Sequence, residues 1–215
     1  MEKGNRKNLL VGAVFLSLFI LWTILISIID LKAIGPNNST VGLATLNNAF
    51  HNLTGVNLLL YNITDWLGLV PIIFVLGFGF LGLVQWIRRK SILKVDFNIL
   101  ILGGYYIVVM AIYLLFEEVV INYRPILING ILEASYPSST TMLVLTVMPT
   151  VISQFNNRFK NKALKKWIFL LINAFIIFMV AARVISGVHW ISDIIGGVFL
   201  SVGLVMLYRF FSNLK

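Results

Sequence analysis

Arg183, His189 and Asp193 fall within one stretch, AARVISGVHWISD, set between apolar segments. Three ionisable side chains at the edge of a membrane segment are costly, and such charges point to function by default. His189 and Asp193 stand four apart, which on a helix puts them on one face within hydrogen-bonding reach. A carboxylate so placed fixes the imidazole tautomer and supports positive charge on the ring, as a nucleophile or general base requires. Arg183 adds a planar fork of donors suited to phosphate.

These residues need elements to hold them, and the composition says which kind. Of 215 residues, 59% are hydrophobic and 12% charged, whereas a soluble domain carries about 25% charged residues. The solvent for most of this chain is therefore lipid. Cysteine is absent, which excludes disulfides and thiolate ligands or nucleophiles. The expected fold is an all-α polytopic bundle, one membrane domain over 1–215, with six spans near 9–29, 67–87, 97–118, 139–156, 167–187 and 191–211. The first follows a basic stub; its apolar run is too long for a signal peptide and no small-residue cleavage site follows, so it is read as a retained anchor.

Charge sets the expected orientation. With both termini inside, the inner segments hold Lys3, Arg6, Lys7, Arg88, Arg89, Lys90, Lys94, Arg158, Lys160, Lys162, Lys165, Lys166, Arg209 and Lys215, against Lys32, Arg124 and Arg183 outside. This is the positive-inside pattern, here of a bacterial cytoplasmic membrane. Anionic lipid headgroups account for the inner basic clusters within the net charge of +9. No nucleic-acid motif occurs, so no nucleic-acid partner is expected. Asp30, Asp65, Glu117, Glu118, Glu133 and Asp193 fall outside, as do His51 and His189, so reactive chemistry gathers on the extracytoplasmic face. The loop over about 30–66 is expected to be partly helical, because Leu53, Val56, Leu60 and Ile63 recur at helical spacing. It reads as a cap over the bundle or a lid over a lipid-binding mouth. Tyr61 and Trp66 suit the interfacial belt, and Trp86, Trp167 and Trp190 read as interfacial or lipid-facing packing.

A second polar segment, EEVVINYRPILINGILEASYPSSTTML, joins the third and fourth spans. Pro137 followed by Ser138, Ser139, Thr140 and Thr141 marks a helix start. Free backbone N–H groups at such a start bind anions. With Arg124 and Arg183, the expected cluster offers two guanidinium forks, amides and hydroxyls, a match for phosphate and for the charge of its transfer state. Thr140 also suits a helix-capping role.

The pattern resembles the type 2 phosphatidic acid phosphatase superfamily over about 117–193. That family carries Lys-x6-Arg-Pro, Pro-Ser-Gly-His and Ser-Arg-x5-His-x3-Asp. Here Arg124-Pro125 match the end of the first block and Pro137-Ser138 the start of the second. Arg183, His189 and Asp193 match the third, with Ala182 for its serine. The resemblance implies that His189 attacks phosphorus, that Asp193 orients it, and that Arg124, Ser138, Ser139 and Arg183 hold phosphoryl oxygens. It also implies that no metal or cofactor is needed.

Two departures matter for the chemistry, besides Ala182 and the Ser139 that replaces the second-block glycine. The first-block lysine falls on Glu117 and the second-block histidine, the family's proton donor, on Thr140. General acid help is worth about 10²–10⁴-fold, and a threonine hydroxyl is too weak an acid to give it. Glu117 stands seven residues before Arg124, where it can share a helical face and pair with it. Glu117, Glu118, Glu133, Tyr123 and Tyr136 are possible substitute acids. The resemblance implies an integral membrane lipid phosphatase or diphosphatase acting through phosphohistidine, on polyprenyl (undecaprenyl) diphosphate, phosphatidic acid or phosphatidylglycerol phosphate. A phosphotransferase is a variant of that reading. The alternative from another class is a non-catalytic lipid-phosphate binder or transporter on the same fold. The sequence sets no oligomeric state.

Overall fold

The computed structural model describes residues 3–214, with side chains from Gly4 onward, so Lys215 and the side chain of Lys3 lie outside the described residues. Among the described residues the regular structure is helical, with a few isolated bridges in the loops. The helices are α1 (Lys3–Ile28), α2 (Ala44–Thr54), α3 (Leu58–Leu67), α4 (Leu69–Arg89), α5 (Phe97–Glu118), α6 (Ser139–Arg158), α7 (Lys162–Ser186) and α8 (Ile191–Ser212).

Five segments are long and apolar enough to cross a bilayer: Gly4–Ile28, Leu58–Arg89, Phe97–Glu118, Lys162–Ser186 and Ile191–Ser212. The chain is an integral membrane protein. The expected fourth span is a helix of adequate length, α6, but it falls short in apolarity. The reason is where its polar groups point. Thr146, Thr150 and Gln154 recur at four-residue spacing and are wholly buried. Thr146 Oγ1 donates to the Met142 carbonyl at 2.7 Å, Thr150 pairs with the Tyr106 hydroxyl at 2.8 Å, and Gln154 Nε2 donates to the Tyr208 hydroxyl at 2.9 Å. A helix packed against α4, α5, α7 and α8 meets protein on most sides, so its polar groups are satisfied there rather than in lipid.

α8 is the central helix, against α1 and α6 above all. Small residues permit the close approach: a Cβ on Gly203 would stand 2.8 Å from Leu16 Cδ2, and one on Gly196 would stand 2.4 Å from the Tyr136 ring. The aromatic rings of Phe19, Phe116 and Tyr136 pack between α1, α5 and the α5–α6 loop.

The expected helical stretch in the first long loop is two helices. Gly55, at φ 61°, breaks it, and Asn57 caps α3 by accepting from Leu60 N–H at 3.0 Å. The pair is clamped to the turn between α7 and α8. Asn57 N–H donates to the Ser186 carbonyl at 2.9 Å, and Gly187, at φ 64°, lies so close to Gly55 that a Cβ would meet its carbonyl oxygen at 1.8 Å. The loop therefore packs against the bundle as a wall beside α7.

Candidate active site

His189 does not sit on a helix. α7 ends at Ser186, Gly187 turns the chain, and α8 begins at Ile191. The expected direct bond between His189 and Asp193 is replaced by a bridged one: Nδ1 and Oδ2 are 4.0 Å apart. Ser135 stands between them. Its hydroxyl donates to Asp193 Oδ2 at 2.5 Å and lies 3.1 Å from His189 Nδ1, while the Ser135 carbonyl lies 3.2 Å from the same nitrogen. With its proton given to Asp193, the Ser135 oxygen can only accept, so both groups facing Nδ1 are acceptors. On the other side, Arg124 Nη1, always a donor, lies 3.4 Å from Nε2. The ring thus carries its proton on Nδ1 and presents a lone pair at Nε2. Burial, then the positive charges of Arg124 and Arg183, holds the His189 pKa well below the usual imidazole value. The neutral ring is the nucleophilic form.

Asp193 is fully buried and richly supplied. It accepts from Trp190 N–H at 2.9 Å and Asn122 Nδ2 at 3.2 Å besides Ser135. The Trp190 bond also caps the first turn of α8. Asn122 accepts from Gly42 N–H, and Asn47 of α2 bonds Ser192 at 2.9 Å, so the first long loop is tied to the same network. Trp190, expected in interfacial or lipid-facing packing, faces the protein interior. It is 3% exposed, donates from Nε1 to the Tyr123 carbonyl at 2.7 Å, and stands against His51 at 5.5 Å between ring centroids.

The two arginines converge. Arg183 is 1% exposed, and its Nη2 donates to Thr140 Oγ1 at 2.6 Å and to Asp65 Oδ1 at 3.2 Å. Its Nε and Nη1 are buried and have no hydrogen-bond partner among the described residues. Unpaired buried guanidinium donors are costly and prime the site for an anion. Arg124 makes its ion pair with Glu133, Nε to Oε2 at 3.0 Å, and not with Glu117 as expected. Glu117 is exposed, beside Tyr113, in a small cleft with Ser135, Pro137 and Ser139. Tyr61 lies beneath both guanidinium groups, 5.0 Å from Arg183 and 5.9 Å from Arg124.

The remaining expected residues divide. Ser138 N–H donates to the Asp193 carbonyl at 3.1 Å, which joins the second block to the third, but its buried hydroxyl is given to Thr141. Ser139 is half-buried and lines an apolar groove. Thr140 is not a cap: its hydroxyl accepts from Arg183. Of the proposed substitute acids, Tyr136 is buried on Thr23 with its phenol pKa pushed up by burial, and Glu133 is engaged by Arg124. Sequence reasoning missed Ser135, Asn122, Asn47 and Asp65. Their partners lie too far along the chain for spacing to reveal.

The groove holds about 440 Å³ between α4, α5 and α6 and is lined by Leu69, Ile72, Met110 and Leu143, with Asp65 and Thr140 among its polar lining residues. Its walls suit an acyl or prenyl chain.

The whole is a helical membrane bundle with a buried histidine against Arg124 and within the electrostatic reach of Arg183. The chain belongs to the PAP2 superfamily, whose family model matches residues 100–214. It is similar in fold to the first transmembrane PAP2-type phosphatidylglycerolphosphate phosphatase from Bacillus subtilis, with a TM-score of 0.63, 16% identity, and coverage of 92% of this chain and 94% of that one. No curated protein matches it in sequence.

Proposed function

We propose that this protein is a membrane lipid phosphatase or diphosphatase that works through a phosphohistidine. The observation that carries the reading is the His189 Nε2 lone pair, 3.4 Å from Arg124 Nη1, in a site where buried Arg183 keeps Nε and Nη1 unpaired. Family membership and the fold shared with a phosphatidylglycerolphosphate phosphatase support it.

In the first step Nε2 attacks phosphorus, the bond to the lipid oxygen breaks, and the lipid leaves as an alcohol or a monophosphate. Arg124 and Arg183 take up the growing charge on the phosphoryl oxygens. Asp193 acts through Ser135, which holds the Nδ1–H tautomer while the ring turns positive. Water then attacks phosphorus, the P–N bond breaks, and phosphate is released. The chemistry needs no metal, because guanidinium groups supply the positive field. The substrates favoured are polyprenyl diphosphate, undecaprenyl diphosphate among them, phosphatidic acid and phosphatidylglycerol phosphate. We place the site on the extracytoplasmic face of a bacterial cytoplasmic membrane, with both termini inside and α6 as a sixth span, on the strength of the charge distribution.

The test is phosphate release by the detergent-purified protein, beside His189→Ala. Release that falls in the variant by at least about 10³-fold supports the enzyme. Tight lipid-phosphate binding with no release from any of these substrates establishes the alternative, a binder or transporter. The replacement of the family's acid histidine by Thr140 is what motivates that second reading.

A further inference from the structure

We propose that Asp65, on helix α3, is the group that gives a proton to the leaving oxygen. The inference rests on the phosphatase reading. An in-line displacement sets the leaving oxygen opposite the attacking Nε2. Arg124, with Glu133 in tow, stands on the attacking side, 3.4 Å from Nε2. Arg183 reaches the other residues: one nitrogen, Nη2, contacts both Thr140 Oγ1 at 2.6 Å and Asp65 Oδ1 at 3.2 Å. Thr140 occupies the position where the resembled pattern carries its acid, and Asp65 shares its arginine nitrogen.

The groove points to the same place. Its apolar walls suit the lipid chain, and both Asp65 and Thr140 line it. The oxygen that joins chain to phosphorus is then set at the end of the groove lined by Asp65 and Thr140, the two side chains that Arg183 contacts. Tyr61 fixes the register: it precedes Asp65 by one helical turn on the same face of α3 and lies under Arg183 at 5.0 Å. The tie between α3 and the α7–α8 turn holds that face in place. Asp65 lies outside the matched segment 100–214, so the donor comes from α3 and not from the motif blocks.

The protons balance. A monoanionic phosphate monoester enters, its oxygens displace the Asp65 carboxylate from Arg183, and the carboxylate takes the substrate's P–O–H proton. As the Nε2–P bond forms and the P–O bond to the lipid breaks, Asp65 passes that proton to the departing oxygen. In the second step Asp65 takes no part: the attacking water's oxygen bonds phosphorus, its proton passes to a phosphoryl oxygen, and the electron pair of the P–N bond returns to Nε2. Asp65 thus ends the cycle as the carboxylate it began as, 61% exposed and free to return to Arg183 when phosphate leaves.

Leaving-group dependence tests this. Phosphatidic acid loses a poor leaving group that needs a proton; 4-nitrophenyl phosphate loses a good one that does not. Asp65→Asn is expected to lower turnover of phosphatidic acid by about 10²–10⁴-fold and to change turnover of the aryl phosphate by no more than a few-fold. Retained aryl activity also shows that the variant is folded. Adding Thr140→His to Asp65→Asn should restore much of the lipid activity. Equal loss on both substrates, no loss, or a gain overturns the proposal, as does a leaving-group-dependent loss in Tyr113→Phe with Asp65→Asn unaffected. A wild-type protein that releases phosphate from neither substrate, and matches His189→Ala, overturns the phosphatase reading itself.

Discussion

At the residue scale the decisive feature is how a buried histidine is kept neutral and aimed. Ser135 inserts between His189 and Asp193, so the carboxylate orients the ring without contacting it. Burial is the largest cause of the lowered His189 pKa, ahead of Arg124 and Arg183. The sign follows from linkage: between the folded pKa and the unfolded value near 6.5, the unfolded chain binds more protons than the folded one. Stability from this group is therefore fully present above about pH 6.5 and is lost as pH falls below it. His189→Gln removes the titration. The melting-temperature difference, wild type minus His189→Gln, should be constant from about pH 7 to 8 and shrink steadily towards pH 5. Differential scanning measurements in one detergent read this directly, and a difference unchanged down to pH 5 would show that the ring is not held neutral.

At the element scale the sequence disclosed segments better than contacts. The apolar runs located α1, α4, α5, α7 and α8, because lipid imposes a length and a composition that a linear window can measure. α6 was placed correctly as a helix, yet its Thr and Gln content answers to protein neighbours, and a window cannot see which neighbours a helix will have. The spacing of Arg183, His189 and Asp193 was visible and the expected spans left His189 between helices, as Gly187 and the capping bond from Trp190 N–H to Asp193 place it, but the direct bond expected from the four-residue spacing is bridged by Ser135, 58 residues away. Tyr61 and Asp65 were assigned to the interface and the outer face for want of any linear signal linking them to Arg183, 118 residues away. What joins them is the clamp at Gly55 and Gly187. Gly187→Ala tests its worth: a left-handed residue with a Cβ 1.8 Å from a backbone oxygen must move one loop. The expected cost is about 1–3 kcal/mol, seen as a drop of several degrees in melting temperature. Catalytic activity should fall further than stability explains, because α3 and its Tyr61–Asp65 face shift from Arg183.

At the scale of the whole molecule, charge and apolar surface must agree on one placement in the bilayer. Arg88, Arg89, Lys90 and Lys94 cluster at one end of the bundle, and Lys160, Lys162, Lys165 and Lys166 fall after α6. If α6 crosses the membrane, these clusters share a face and the arginine–histidine centre lies on the other; if it does not, the positive-inside pattern fails for everything after α5. The chain lacks cysteine, so single cysteines report position without background. Leu53, Leu93, Ile131 and Leu164 are exposed loop or helix-end positions that bracket successive helices. In intact cells a membrane-impermeant maleimide should label Leu53→Cys and Ile131→Cys, and it should reach Leu93→Cys and Leu164→Cys only after permeabilisation. Labelling of 131 and 164 from the same side would mean that α6 does not traverse the bilayer. Labelling of 53 only after permeabilisation would invert the whole arrangement, and would turn the His189 centre towards cytoplasmic lipid phosphates.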